Sequence, residues 1–128
     1  MKKIIQSDHA PSPIGPYSQA VILNNMLFGS GQIAINPITG ELVIEDITKE
    51  THQVMKNIEA VLAAAEMNFN HIVKTTIFLS SMDNFAKVNE VYGSYFSADY
   101  PARETLAVKT LPKNVNVEIS FTAILNNE

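Results

Sequence analysis

Cysteine is absent from the chain, which excludes a disulfide framework, a thiol nucleophile and any zinc site built on thiolates. Long apolar runs are missing too, and none approaches the roughly 20 residues needed to cross a bilayer. The opening Met1-Lys2-Lys3-Ile4-Ile5 turns polar after two apolar residues, too short for the hydrophobic region of a signal peptide. Export is therefore not expected, and a cytoplasmic, membrane-free protein is. Positive charge is scarce: nine Lys and Arg against thirteen Asp and Glu give a net charge of -4. With no basic cluster, binding to a phosphate backbone, which draws its affinity from neutralised phosphates, is disfavoured.

What is present is ordinary globular material. The chain has 128 residues, 46% hydrophobic and 17% charged, enough for a single domain spanning residues 1–128 and too little for two. Ala20-Val21-Ile22-Leu23 and Met26-Leu27-Phe28 read as strands around an Asn24-Asn25 turn, because Asn tolerates the left-handed backbone of tight hairpins. Ile33-Ala34-Ile35 is expected to extend the sheet before the turn formers Asn36 to Gly40.

Helical spacing of Ile47, Val54, Met55, Ile58, Val61, Leu62 and Ala65 predicts a helix from Asp46 to about Met67, capped by Asp46 or Thr48. The β-branched run Ile72 to Leu79 reads as a covered strand. A second helix should follow, capped by Asp83, with Phe85, Val88, Val91, Tyr92, Tyr95 and Phe96 as its buried stripe and a stop at Pro101.

From Val115 to Thr122 every odd position is apolar and every even one polar, the pattern of a strand with one face on a core. Glu118 therefore faces away from Val117 and Ile119. The same rule on the preceding strand puts Arg103, Thr105 and Ala107 on one side, and Glu104, Leu106 and Val108 on the other, apolar side. Arg103 and Glu104 should not pair. The order predicts an α+β domain, two helices on one face of a mixed sheet, with oligomerisation covering the other face.

Chemistry has few places to sit. His9, His52 and His71 lie on a terminus, a helix and a loop without ligand spacing, so no metal site is expected. Gly29-Ser30-Gly31-Gln32 follows a strand but lacks the lysine and helix start of a phosphate loop. Its glycines fit close approach of backbone to a small ligand, or equally a bulge. No serine elbow occurs. What remains is Arg103, suited to clamping a carboxylate through two parallel hydrogen bonds or to an exposed salt bridge, together with Glu118 and the loop tyrosine Tyr17.

These motifs, taken in order, resemble the RidA/YjgF family of reactive-intermediate deaminases over nearly the whole chain. The carriers are Ile14-Gly15-Pro16-Tyr17-Ser18-Gln19-Ala20, Ser30-Gly31-Gln32-Ile33, Asn36-Pro37-x-Thr39-Gly40, Thr51-x-Gln53-Val54-x-x-Asn57-Ile58, Val73 to Phe78, Phe85-Ala86-x-Val88-Asn89-x-x-Tyr92, Pro101-Ala102-Arg103, Leu111-Pro112-Lys113 and Val117-Glu118-Ile119. The resemblance implies a chorismate-mutase-like fold, a homotrimer with ligand clefts between subunits, and no cofactor. It implies hydrolysis of 2-imino acids, released as enamines by pyridoxal-phosphate dehydratases, to 2-keto acids and ammonia. Arg103 would hold the substrate carboxylate and Glu118 would activate water. Tyr17, Asn89 and the backbone at Ser30 and Gly31 would shape the pocket.

Many members carry Ser-Cys after Pro-Ala-Arg, where this chain has Glu104 and Thr105; Thr105 would then put a hydroxyl in place of a thiol in the pocket. The competing expectation is a trimeric module that binds a small carboxylate or regulates a partner without turnover.

Overall fold

A computed structural model of the chain describes residues 1–125. Six strands, β1 (Lys3–Ile5), β2 (Ala20–Leu23), β3 (Met26–Gln32), β4 (Ile72–Leu79), β5 (Ala102–Ala107) and β6 (Val117–Ile124), make one sheet in the order β1-β2-β3-β6-β4-β5. Only the β4–β5 pair is parallel. Two helices, α1 (Ile47–Ala64) and α2 (Phe85–Gly93), pack against one another and cover one face of it, α1 lying over β3 and β6.

The hairpin forms as the Asn pair predicts, with Asn24 left-handed at φ 56. Residues Ile33–Ile35 do not continue β3. Two of their carbonyls are taken instead by the Asn57 side chain, whose Nδ2 donates to Ile33 O and Ile35 O at 3.1 and 3.0 Å, the Ala34 carbonyl accepts from Val43 N, and Ile35 makes only a lone bridge to Leu42. Strand β1, which carries no alternation, is an addition to the expected elements.

Asp46 caps α1 by accepting from Lys49 N at 2.8 Å, and Val54, Ile58, Val61 and Leu62 are fully buried beneath it. Burial of each such side chain contributes about 1.5–3 kcal/mol. Asp83 does not cap α2. Asn84 holds the N-cap position without a side-chain bond, and Ser81 instead caps the 3-10 turn over Met82–Asn84 that leads into the helix, accepting from Asp83 N at 3.1 Å. The helix also stops early, at Gly93. Phe96 nevertheless stays buried, stacked near Tyr92 with ring centroids 5.0 Å apart.

Strand β5 reverses one expectation. The alternation holds, but the side packed toward the helices is the Arg103–Thr105 side, because Arg103 pairs with Thr75 and Thr105 with Ile77, both buried. Leu106 is 41% exposed on the opposite side. Glu104 lies there too, paired with Lys74 at 3.0 Å rather than with Arg103; that contact holds its carboxyl below the usual range.

The sheet's centre leaves no room at Gly29, where an added Cβ would sit 2.3 Å from the ring of Phe121, itself buried. Gly29→Ala should therefore cost about 1–3 kcal/mol of stability, the usual cost of overpacking. Urea denaturation of the two proteins measures it, and an unchanged midpoint would show that the ring can move aside.

Candidate functional site

The expected site residues fall into two groups, on opposite faces of the sheet. Register decides this. Arg103 pairs with Thr75, and Thr75 pairs with Phe121, all on the helix-covered face. Glu118 pairs with Phe78 on the face that no helix covers. Residues paired across strands share a face and neighbours along a strand do not, so Arg103 and Glu118 of one chain cannot close on one small ligand.

The first group lines a cavity of about 590 Å³ that includes Tyr17, Gln19, Ser30, Gly31, Lys113 and Glu118. Gln19 builds one wall from within: fully buried, it accepts from Ser7 N at 2.6 Å and donates to Ser7 O and Pro11 O at 3.1 and 2.8 Å. Tyr17 follows a turn at Gly15, whose φ of 119 suits glycine alone, and the residue is 53% exposed.

The ladder between β3 and β6 shifts register between Gly29 and Gln32, so Ser30 and Gly31 bulge beside Glu118. Ser30 is less available than expected. Its N–H donates to Gln19 O at 2.9 Å and its hydroxyl to Ser18 O at 2.6 Å, which leaves the hydroxyl oxygen only as an acceptor. Gly31 has a steric role, since a Cβ there would stand 2.7 Å from Glu118 Oε2. The Glu118 carboxyl is half-buried, and desolvation raises its pKa above the model-peptide value.

The second group lines a cavity of about 730 Å³ made by Asn89, Tyr92, Gly93, Tyr100, Pro101 and Arg103 among others. Arg103 is held from three sides. Its Nη1 donates to Asn89 Oδ1, and its Cζ lies 5.6 Å from the centroid of the Phe85 ring and 5.3 Å from that of Tyr92, within cation–π range. Tyr92 is itself pinned by a 2.7 Å hydrogen bond to Thr75 Oγ1; burial pushes its phenol pKa up.

Thr105, two residues along the same face, lines neither cavity. Its hydroxyl oxygen is buried without a hydrogen-bond partner among the described residues. Helical spacing puts Phe85 and Tyr92 in a buried stripe and cannot tell a ring that packs on a guanidinium from one that packs on leucine, although both also stand in the Phe85-to-Tyr92 motif. Lys113 and Gln19 stand inside recognised motifs, and that was the available signal for them.

Both volumes suit small molecules. One cavity offers a preorganised guanidinium for a carboxylate; the other offers a carboxyl whose raised pKa suits proton transfer.

The profile of the family described as Endoribonuclease L-PSP matches residues 7–125. The chain belongs to the YjgF/RidA family. Within it, the chain is 50% identical over 123 residues to a RutC family protein of Pyrococcus horikoshii, covering 96% of this chain and 98% of the relative. It is 41% identical over 124 residues to the 2-iminobutanoate/2-iminopropanoate deaminase of Mus musculus, covering 97% and 92%. Among solved YjgF/RidA structures, that of E. coli TdcF with bound serine superposes with a TM-score of 0.93 at 39% identity, covering 97% of this chain and 99% of that one.

In this YjgF/RidA chain the pKa shift of Glu118 links to stability with a definite sign. A carboxyl whose folded pKa is raised favours the fold when protonated, so its contribution falls as pH rises from the unfolded toward the folded value. Glu118→Gln should therefore melt higher than the parent at neutral pH, with the difference closing below about pH 4, near the model-peptide range. Thermal melts across pH 3–8 check this, and equal melting points at pH 7 would mean the burial carries no cost.

Proposed function

We propose that the protein hydrolyses 2-imino acids to 2-keto acids and ammonia, at sites each assembled from the Arg103 side of one subunit and the Glu118 side of the next in a homotrimer. The observation that carries this reading is the separation of two complementary half-sites onto opposite faces of the sheet. Uniting them requires a second copy, and a closed ring of head-to-tail contacts supplies one for every chain. Exposed Ile4, Phe28 and Leu106 on the uncovered face, 51%, 42% and 41% accessible, give such a contact apolar area to bury.

In the reaction, Arg103, with its guanidinium plane set by Asn89, Phe85 and Tyr92, would grip the substrate carboxylate through its remaining donors. Glu118 would take a proton from water as the oxygen adds to the carbon of the protonated imine, giving a neutral amino alcohol. It would then pass that proton to the amino nitrogen and take up the hydroxyl proton as the C–N bond breaks, releasing ammonia and the keto acid. Water is the only co-reactant. Burial of Glu118 keeps its pKa nearer the working pH, where one group serves as base and then acid.

Support comes from the mouse relative, named a 2-iminobutanoate/2-iminopropanoate deaminase, and from TdcF, whose structure holds serine, an amino acid of the same carboxylate geometry. RNA cleavage, suggested by the family description, fits less well: the net charge is -4, and among the described residues Lys113 and Arg103 are the lone cations lining their respective cavities.

Two experiments test the reading, both coupling a serine or threonine dehydratase to the protein and following keto-acid formation. Arg103→Lys should fail almost as badly as Arg103→Ala, losing on the order of 30- to 4000-fold, because an ammonium cannot reproduce the planar fork. Near-normal hydrolysis by a folded Arg103→Ala protein would instead leave the carboxylate-binding module ahead. Mixing Arg103→Ala with Glu118→Gln before refolding should restore about one quarter of the activity, the share of sites that draw both intact residues at random. No recovery would place both residues in one chain's site or in none.

A further inference from the structure

We infer that Glu50, a buried carboxylate on α1 outside both cavities, is a positioning residue for Glu118. The inference rests on the hydrolytic reading above and deepens it. Glu50 is 0% exposed, and among the described residues it has no cationic partner. Burying a charge without one is costly unless hydrogen-bond donors surround it. Its donors all come from the start of β6: Asn116 N and Val117 N reach Oε2 at 2.7 and 3.1 Å, and Asn116 Nδ2 reaches Oε1 at 2.8 Å.

The place of that clamp gives it a functional reading. Just before Asn116 the chain passes through Lys113 and Asn114, both left-handed at φ 56, a conformation that costs a non-glycine residue free energy and persists only where the surroundings impose it. Pro112 and Lys113 form a wall of the Glu118 cavity. On the upstream side the turn is anchored by buried Leu111, and on the downstream side by buried Val115 and the Glu50 bonds. Asn116 also ties to β4, accepting from Ser80 Oγ at 3.1 Å and, through its carbonyl, from Ser80 N at 3.0 Å.

Glu50 thus holds the residue pair that immediately precedes Glu118 and, through it, the downstream end of the turn that lines the same cavity. Releasing that pair lets the turn relax and moves the Glu118 carboxyl out of its place beside Gly31. Arg103, on the other face, is untouched by such a shift. The loss should therefore fall on turnover and spare substrate capture.

The test compares Glu50→Ala, Glu50→Asp and Glu50→Gln, alone and combined with Glu118→Gln, by kcat, KM and size. Glu50→Gln keeps an oxygen for both backbone N–H groups and should stay within about threefold of the parent. Glu50→Ala, and Glu50→Asp if the alanine variant does not fold, should lower kcat on the order of 10- to 100-fold, the effect of misplacing a catalytic group by about 1 Å, with little change in KM. Added to Glu118→Gln, either should cause no further loss, since both act on one group. If Glu118→Gln is impaired but Glu50→Asp is normal, or the two losses multiply, Glu50 is a structural residue only and the inference fails alone. If Glu118→Gln itself turns over normally, the hydrolytic site falls and this inference falls with it.

Discussion

Side chains along a strand alternate between two faces, and hydrogen-bonded register carries that alternation from strand to strand. In this sheet β4 lies between β5 and β6 and transmits the parity of each to the other. Arg103 is thereby committed to the helix side and Glu118 to the open side, and no side-chain rotation reverses the assignment. The arrangement of aromatic rings around the guanidinium, the bulge at Ser30 and Gly31, and the uncovered apolar residues on the far face all follow that partition. A chain with these residues is chemically divided, and in the proposed function assembly gives the division a use.

Much of this fold was legible because it is written locally. Asp46, the period of α1 and the β-branched run of β4 act within a few residues of themselves, and each element forms where its pattern says. Parity within β5 and within β6 was legible for the same reason. The relation between them was not, because it depends on a pairing register set by tertiary contacts. The start of α2 was misassigned for a subtler cause: Ser81 offers a hydroxyl two residues before Asp83 and starts a 3-10 turn first. Long-range side-chain clamps such as Gln19 on Ser7 and Pro11 leave no periodic trace, since a buried amide looks like any polar residue until its partners are known.

The site's components share a physical theme, which is that polar groups are fixed before any ligand arrives. Three groups hold the guanidinium, a missing Cβ makes room for the Glu118 carboxylate, and two left-handed residues shape a cavity wall. Each feature costs conformational freedom or solvation in the empty protein. Such costs lower the reorganisation required at the moment of reaction. Thr105 is the exception: its buried hydroxyl has no hydrogen-bond partner among the described residues.

The place of β6 also bears on how the protein comes to be made. It follows every other strand in chain order yet lies inside the sheet, between β3 and β4. A ribosome that has released everything through β5 has delivered two blocks, the β1–β3 meander and the β4–β5 pair, with an empty slot between their inner edges. Those edges present unpaired N–H and C=O groups, a template for foreign strands. Only the emergence of β6 closes the gap, so until then the nascent polypeptide is exposed to mispairing along both edges.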